Sequence, residues 1–161
     1  MNAELVLALR EHLVELLDGG GAHIGVIDAL KNFPPDKRGL QPPELPYSAW
    51  QLVEHIRIAQ WDIVEFCLNP AHESPPWPEG YWPDTEAPPK QESWTKSLKQ
   101  IDEDLARMER FVRDPKTELL TPLPHGDGQT PAREAMLLAD HNAYHLGQLI
   151  AVRRLLDAWP P

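Results

Sequence analysis

Asp140-His141-Asn142-Ala143-Tyr144-His145-Leu146-Gly147-Gln148 lies inside a proline-free window, residues 132–159, that opens with Thr130-Pro131. Thr is a favoured helix N-cap and Pro a favoured first helical residue, so the stretch predicts a helix running to about Leu156, with Trp159-Pro160-Pro161 as its stop. In that helix His141 and His145 fall on one side, about 6 Å apart, a spacing that lets two imidazoles reach one ion. Taken alone, a His-x-x-x-His pair is a weak signal. Its setting among Leu137, Leu138, Leu146, Leu149 and Ile150 strengthens it, because uncoordinated polar rings are costly to bury.

Working outward, the same punctuation divides the rest of the chain. Of 161 residues 18 are Pro, about twice the usual share of roughly 5%. They gather at 34–46, 70–89, 115–131 and 160–161, leaving proline-free windows at 1–33, 47–69, 90–114 and 132–159. Hydrophobic residues make up 42% of the chain and concentrate in those windows, which argues against a disordered or collagen-like protein. In the first window Leu5, Leu9, Leu13 and Leu16, with Val6 and Leu17, repeat at helical spacing, and Asp18-Gly19-Gly20-Gly21 interrupts them. A short second piece from about His23 to Asn32 precedes Pro34-Pro35. Ser48 and Gln51 form a capping box that opens a second helix, to about Leu68, with Leu52, Val53, Ile56, Ala59, Ile63 and Phe66 on one broad side. A third, from about Gln91 to Val112, carries Trp94, Leu98, Ile101, Leu105, Met108 and Val112, and its Asp102-Glu103-Asp104 run reads as a solvated face. The connection at 70–89 holds seven prolines with Trp77, Tyr81 and Trp82. At that length it reads either as a cover over a functional site or as a rigid tie between helices. The fold class expected is all-α, a four-helix bundle with long Pro-rich connections, over residues 1–161 as a single domain.

Bulk chemistry narrows the function. The formal charge of −10 disfavours nucleic acid and anionic membranes as partners. No apolar run exceeds the five residues of Leu5 to Leu9, too short for a membrane span or a signal-peptide core, so a soluble, cytoplasmic protein is expected. The lone Cys67 rules out a disulfide within the chain and reads as a small core hydrophobe.

A third metal ligand must come from another helix, and His55 lies mid-helix beside Leu52, Ile56 and Ala59. Alone it would read as a satisfied core histidine. Three histidines with water in the remaining position instead make an open site for a divalent cation. A ferritin-like di-iron site needs Glu-x-x-His, and no histidine here has an acidic residue three positions before it. A zincin needs Glu directly after its first His, where Asn142 stands. Gln51 and Asp62 share the line of His55, and Glu134 and Gln148 that of His141, so each is a candidate to orient an imidazole or touch substrate, beside the ordinary reading of helix-surface polarity. His125, in the loop leading into the last helix, could reach a site at the bundle end. His12, His23 and His72 make no case beyond ordinary surface histidines.

Pro46-Tyr47-Ser48-Ala49-Trp50-Gln51-Leu52-Val53-Glu54-His55, followed by Asp140-His141-Asn142-Ala143-Tyr144-His145-Leu146-Gly147-Gln148, resembles the DinB-like (DinB/YfiT) superfamily over nearly the whole chain. The resemblance implies an up-up-down-down-type four-helix bundle, often a homodimer, with a nickel, zinc or iron ion held by three histidines, here His55, His141 and His145. It also implies a small-molecule substrate and a metal-dependent thiol transferase or isomerase using a low-molecular-weight thiol such as bacillithiol, mycothiol or glutathione. The reading expected is a metal-dependent enzyme that activates a thiol or water against a small electrophile. The competing one is a non-catalytic metal-binding or stress-response bundle; a purely structural bundle is the third. The segment Trp77-Pro78-Glu79-Gly80-Tyr81-Trp82-Pro83 looks like a subgroup elaboration and is where substrate choice is expected to lie.

Overall fold

The computed structural model describes residues 3–19 and 21–159, and these are helical with no strand among them. Five helices follow in order: α1 (Ala3–Asp18), α2 (Val26–Ala29), α3 (Ala49–Leu68), α4 (Gln91–Arg113) and α5 (Pro131–Leu155). Short 3-10 turns occupy Pro35–Lys37 and Glu79–Tyr81. α3 packs against both α4 and α5, and α1 closes the other side of the same pair. No described helix is long and apolar enough to cross a membrane. Gly20 and the Pro160-Pro161 stop lie outside the described residues.

The helix starts follow from their caps. Ser48 Oγ accepts from the Gln51 backbone N–H while Gln51 Oε1 accepts from the Ser48 N–H at 2.9 Å, so two orphan donors are satisfied reciprocally. Thr130 Oγ1 accepts from the Arg133 N–H with Pro131 next in line. Within α1 the structure departs from the simple stripe. Leu13, Val14 and Leu17 are buried, whereas Leu5 and Leu16 are exposed. The expected second piece shrinks to the single turn of α2.

Two apolar clusters fill the interior. One joins Leu13, Val14 and Leu17 to Val64, Cys67, Met108, Val112 and Leu138. The other joins Phe33, Trp50, Leu52, Val53 and Ile56 to Trp94, Ile101, Leu149 and Val152. Between them along the helices lies a polar layer of His55, Gln60, Asp104, Asn142 and His145. Gln60 is fully buried, donates from Nε2 to the Ile101 carbonyl at 2.5 Å and accepts from Asn142 Nδ2 at 2.7 Å. Asp104, expected on a solvated face, is fully buried here, accepting from Gln100 and from Arg107, whose guanidinium also reaches Glu65. Burying this carboxylate is tolerable because both its oxygens are hydrogen-bonded.

The connection at 70–89 packs onto the bundle. Ser48 Oγ donates to the Glu86 carbonyl and Trp50 Nε1 to Thr85 Oγ1. At Gly39 the chain passes so close to Ala87 that a Cβ could not be accommodated.

Candidate metal centre

α3 supplies His55, and α5 supplies His141 and His145 from successive turns of one face. The three rings converge: His55 Nε2 lies 3.0 Å from His145 Nε2 and 3.2 Å from His141 Nε2. The possible ligand atoms of all three lie within 4.8 Å of one another. For donors about 2.1 Å from a common ion, separations of 3.0 and 3.2 Å subtend roughly 90–100°, which falls between facial octahedral and tetrahedral values.

The outer nitrogens decide what lies between these rings. His55 Nδ1 is 2.8 Å from the Tyr81 carbonyl, which can only accept, so Nδ1 carries the hydrogen. His145 Nδ1 faces Gln148 Oε1 at 2.7 Å and is likewise the donor. In their neutral forms both rings therefore turn bare lone pairs toward each other across 3.0 Å. A hydrogen on His141 Nε2 could bridge to His55 but would leave the His55–His145 contact without one. Protonation is no remedy, because burial lowers the pKa of His55 and His145, and that of His141 is pushed down to about 4 by burial and then by its two histidine neighbours. A cation among the three nitrogens resolves the repulsion, and neutral imidazoles with their outer N–H groups held by a carbonyl and an amide are the usual form of metal-ligating histidine. The residues present fit a divalent metal.

The 70–89 connection is part of this arrangement. Besides the Tyr81 carbonyl, it lays the Trp82 ring on His55, centroids 4.0 Å apart and planes 3° from parallel. Asp62 fixes the connection from below: Oδ1 contacts His72 Nε2 at 2.7 Å and Oδ2 accepts from the Tyr81 hydroxyl at 2.6 Å. Burial, then Asp62, pushes the Tyr81 phenol up to about 12, so it remains a donor. Features of both readings of the connection are present: Trp82 lies over His55, and Thr85, Glu86, His72 and Tyr81 tie the segment to α3.

The candidate orienting residues divide. Gln148 does orient an imidazole, though that of His145 rather than His141, three residues being the reach along one helical turn. Gln51 is engaged in the capping box, and Glu134 pairs with Arg133. Asp62 acts on His55 only through Tyr81. His125 contacts the Phe66 carbonyl at 2.6 Å and takes no part in the cluster. His72 had no signal in the sequence, because its partner Asp62 lies across the Asn69-Pro70 helix end. The Tyr81 carbonyl could not be seen either, since backbone groups carry no sequence identity.

In front of the rings opens a cavity of about 510 Å³, lined by all three histidines, by Ala59, Asp62, Ile63, Leu137 and Asp140, and by Trp77, Tyr81 and Tyr144. It lies within the usual size range of small-molecule sites.

The architecture and this cluster together define a helical protein with a three-histidine centre beneath an aromatic cover. The family model of the DinB superfamily matches residues 26–149, and the chain belongs to that superfamily. No curated protein and no solved structure matches it.

Proposed function

We propose that this chain is a metal-dependent enzyme of the four-helix DinB type, whose His55, His141 and His145 hold one divalent ion facing the cavity. The observation that carries the reading is the facing pair of Nε2 lone pairs on His55 and His145, each fixed by its outer N–H. His55, His141 and His145 would hold the ion as three neutral ligands, and the chemistry it would supply there is Lewis acidity, which lowers the pKa of a thiol or water.

The chain's own residues account for the rest. Tyr81 and Gln148 hold the imidazoles of His55 and His145 in one tautomer and orientation, while His141 Nδ1 is buried with no hydrogen-bond partner. Trp82 covers one face of His55, excluding water from that side. Ala59, Ile63 and Leu137 give a small electrophile an apolar wall to rest on. A cavity of about 510 Å³ against the ring cluster favours catalysis over a purely structural metal, whose site would be closed by protein ligands. Nickel, zinc and iron all suit imidazole ligands. A low-molecular-weight thiol as co-substrate, a homodimer and a single domain over the whole chain belong to the same proposal.

The test is metal content. Purified protein is expected to carry close to one equivalent of nickel, zinc or iron, and His55→Ala to lose it while remaining helical by circular dichroism. Unchanged metal content in His55→Ala, or no stoichiometric metal in either protein after loading, would sink the reading. A loaded protein that transfers or hydrolyses nothing across a panel of thiols and electrophiles would instead favour a binding role.

A further inference from the structure

The charge of the cavity wall constrains what can occupy it, and this inference rests on the metal-centre reading for how the reacting atom would be held. Apart from the histidines and tyrosines, the ionisable groups lining the cavity are Asp62 and Asp140, and no Lys or Arg lines it. Both oxygens of Asp62 are hydrogen-bonded, to His72 and Tyr81. Asp140 differs: it is exposed, and among the described residues its carboxylate enters no ion pair or hydrogen bond. The surrounding surface is aromatic, with Trp77 73% and Tyr144 65% exposed and Trp77 edge-on to Tyr81 at 5.4 Å. Exposed rings of this size beside an unpaired carboxylate offer stacking area and attraction for positive charge.

A ligand's reacting atom can be anionic where it meets a cation at the histidines. The remainder of the molecule extends over Asp140 and the rings, where a second negative charge meets an uncompensated carboxylate. We propose that this cavity selects small ligands with an apolar or aromatic body that is uncharged or cationic, and that Asp140 discriminates against ligands whose body carries a carboxylate. Thiols with carboxylate-bearing tails, glutathione among them, are then poor occupants compared with neutral-bodied ones.

Three matched thiols test this: benzyl mercaptan, 4-(mercaptomethyl)benzoate and 4-(mercaptomethyl)benzylamine. Their affinities are read from the thiolate-to-metal charge-transfer band of the cobalt-loaded protein and from tryptophan fluorescence quenching in the metal-free protein. The carboxylate is expected to bind about five- to tenfold more weakly than the neutral thiol, the scale of one exposed charge pair, with the gap shrinking as salt is raised. The amine is expected to bind at least as tightly as the neutral compound. Asp140→Asn, at an exposed position where folding is not at stake, should bring the three within about twofold, and Asp140→Lys should reverse the order. Trp77→Ala should weaken all three together. Equal or tighter binding of the carboxylate, a gap unchanged in Asp140→Asn, or no quenching by any of the three would overturn the proposal. Failure of the metal reading looks different: no charge-transfer band with any thiol, while the fluorescence order persists.

Discussion

His55 and His145 each surrender one ring nitrogen to a fixed acceptor and so have one nitrogen left for chemistry, and that constraint is what makes the cluster a candidate metal site. The acceptor on the His145 side is a single side chain, so Gln148→Leu should lower metal affinity about 10–100-fold, as loss of an orienting partner commonly does, measured by competition with a chromogenic chelator. A value within twofold of wild type would show that Gln148 does not set the ring. The titration of the same histidines gives a second expectation. Burial, then its two histidine neighbours, lower His141 to about 4 in the folded chain against an ordinary 6.5. Between those two values the unfolded chain takes up a proton that the folded chain refuses, so unfolding becomes more favourable as pH falls. The downward shifts of His55 and His145 act with the same sign. Metal-free protein should therefore lose stability progressively as pH drops from about 6.5 to about 4. Urea midpoints across that range check it, and His141→Gln should flatten the curve. Among single residues, the three histidines could be read from the sequence because type and helical spacing carry the signal. Of the outer-nitrogen partners, only Gln148 stood out in the sequence, and there on the line of His141, whereas the structure gives it to His145.

At the scale of elements, α3 and the 70–89 connection behave as one unit. The capping box starts α3 and its serine also holds the connection, so Ser48→Ala should cost about 1 kcal/mol in cap energy, visible in the urea midpoint. Asp62→Asn tests the other end. An uncharged amide replaces the carboxylate that His72 and the Tyr81 hydroxyl both address, and the Tyr81 carbonyl should then hold His55 less firmly. Metal affinity is expected to fall roughly tenfold, whereas an affinity equal to wild type would mean that Tyr81 is positioned without Asp62. The limits of α3, α4 and α5 came out close to their sequence signals, because caps and prolines are local devices, whereas the uncapped piece expected at His23 to Asn32 is the single turn of α2. Asp104 shows where local reading stopped. It follows Ile101 by three residues and so shares the buried side of α4, yet its place in an acidic run read as solvent-facing. Arg107 and Gln100, which make its burial tolerable, lie one turn either side of it.

Over the whole molecule, two apolar clusters hold four long helices together while a polar layer between them carries the site. Arg153 closes one end. It is 3% exposed, and its guanidinium donates to the carbonyls of Ala29, Lys31 and Ala158, joining the α2 region to the last helix. Arg153→Met should cost about 2–4 kcal/mol, since the buried Ala29 and Ala158 carbonyls and the half-buried Lys31 carbonyl lose their donor, and a thermal melt should show it. A loss below about 0.5 kcal/mol would place those carbonyls in contact with water. The sequence by itself determined the helical class, the boundaries of the three helices α3, α4 and α5, and the candidate status of the three histidines, since these follow from periodicity, caps and side-chain type within short windows. Tertiary structure alone decided that the rings meet, that Tyr81 and Trp82 close over His55, and that Asp140 stands unpaired at the cavity mouth. Each of these depends on segments distant in the chain being brought together, and residue identity does not encode that proximity.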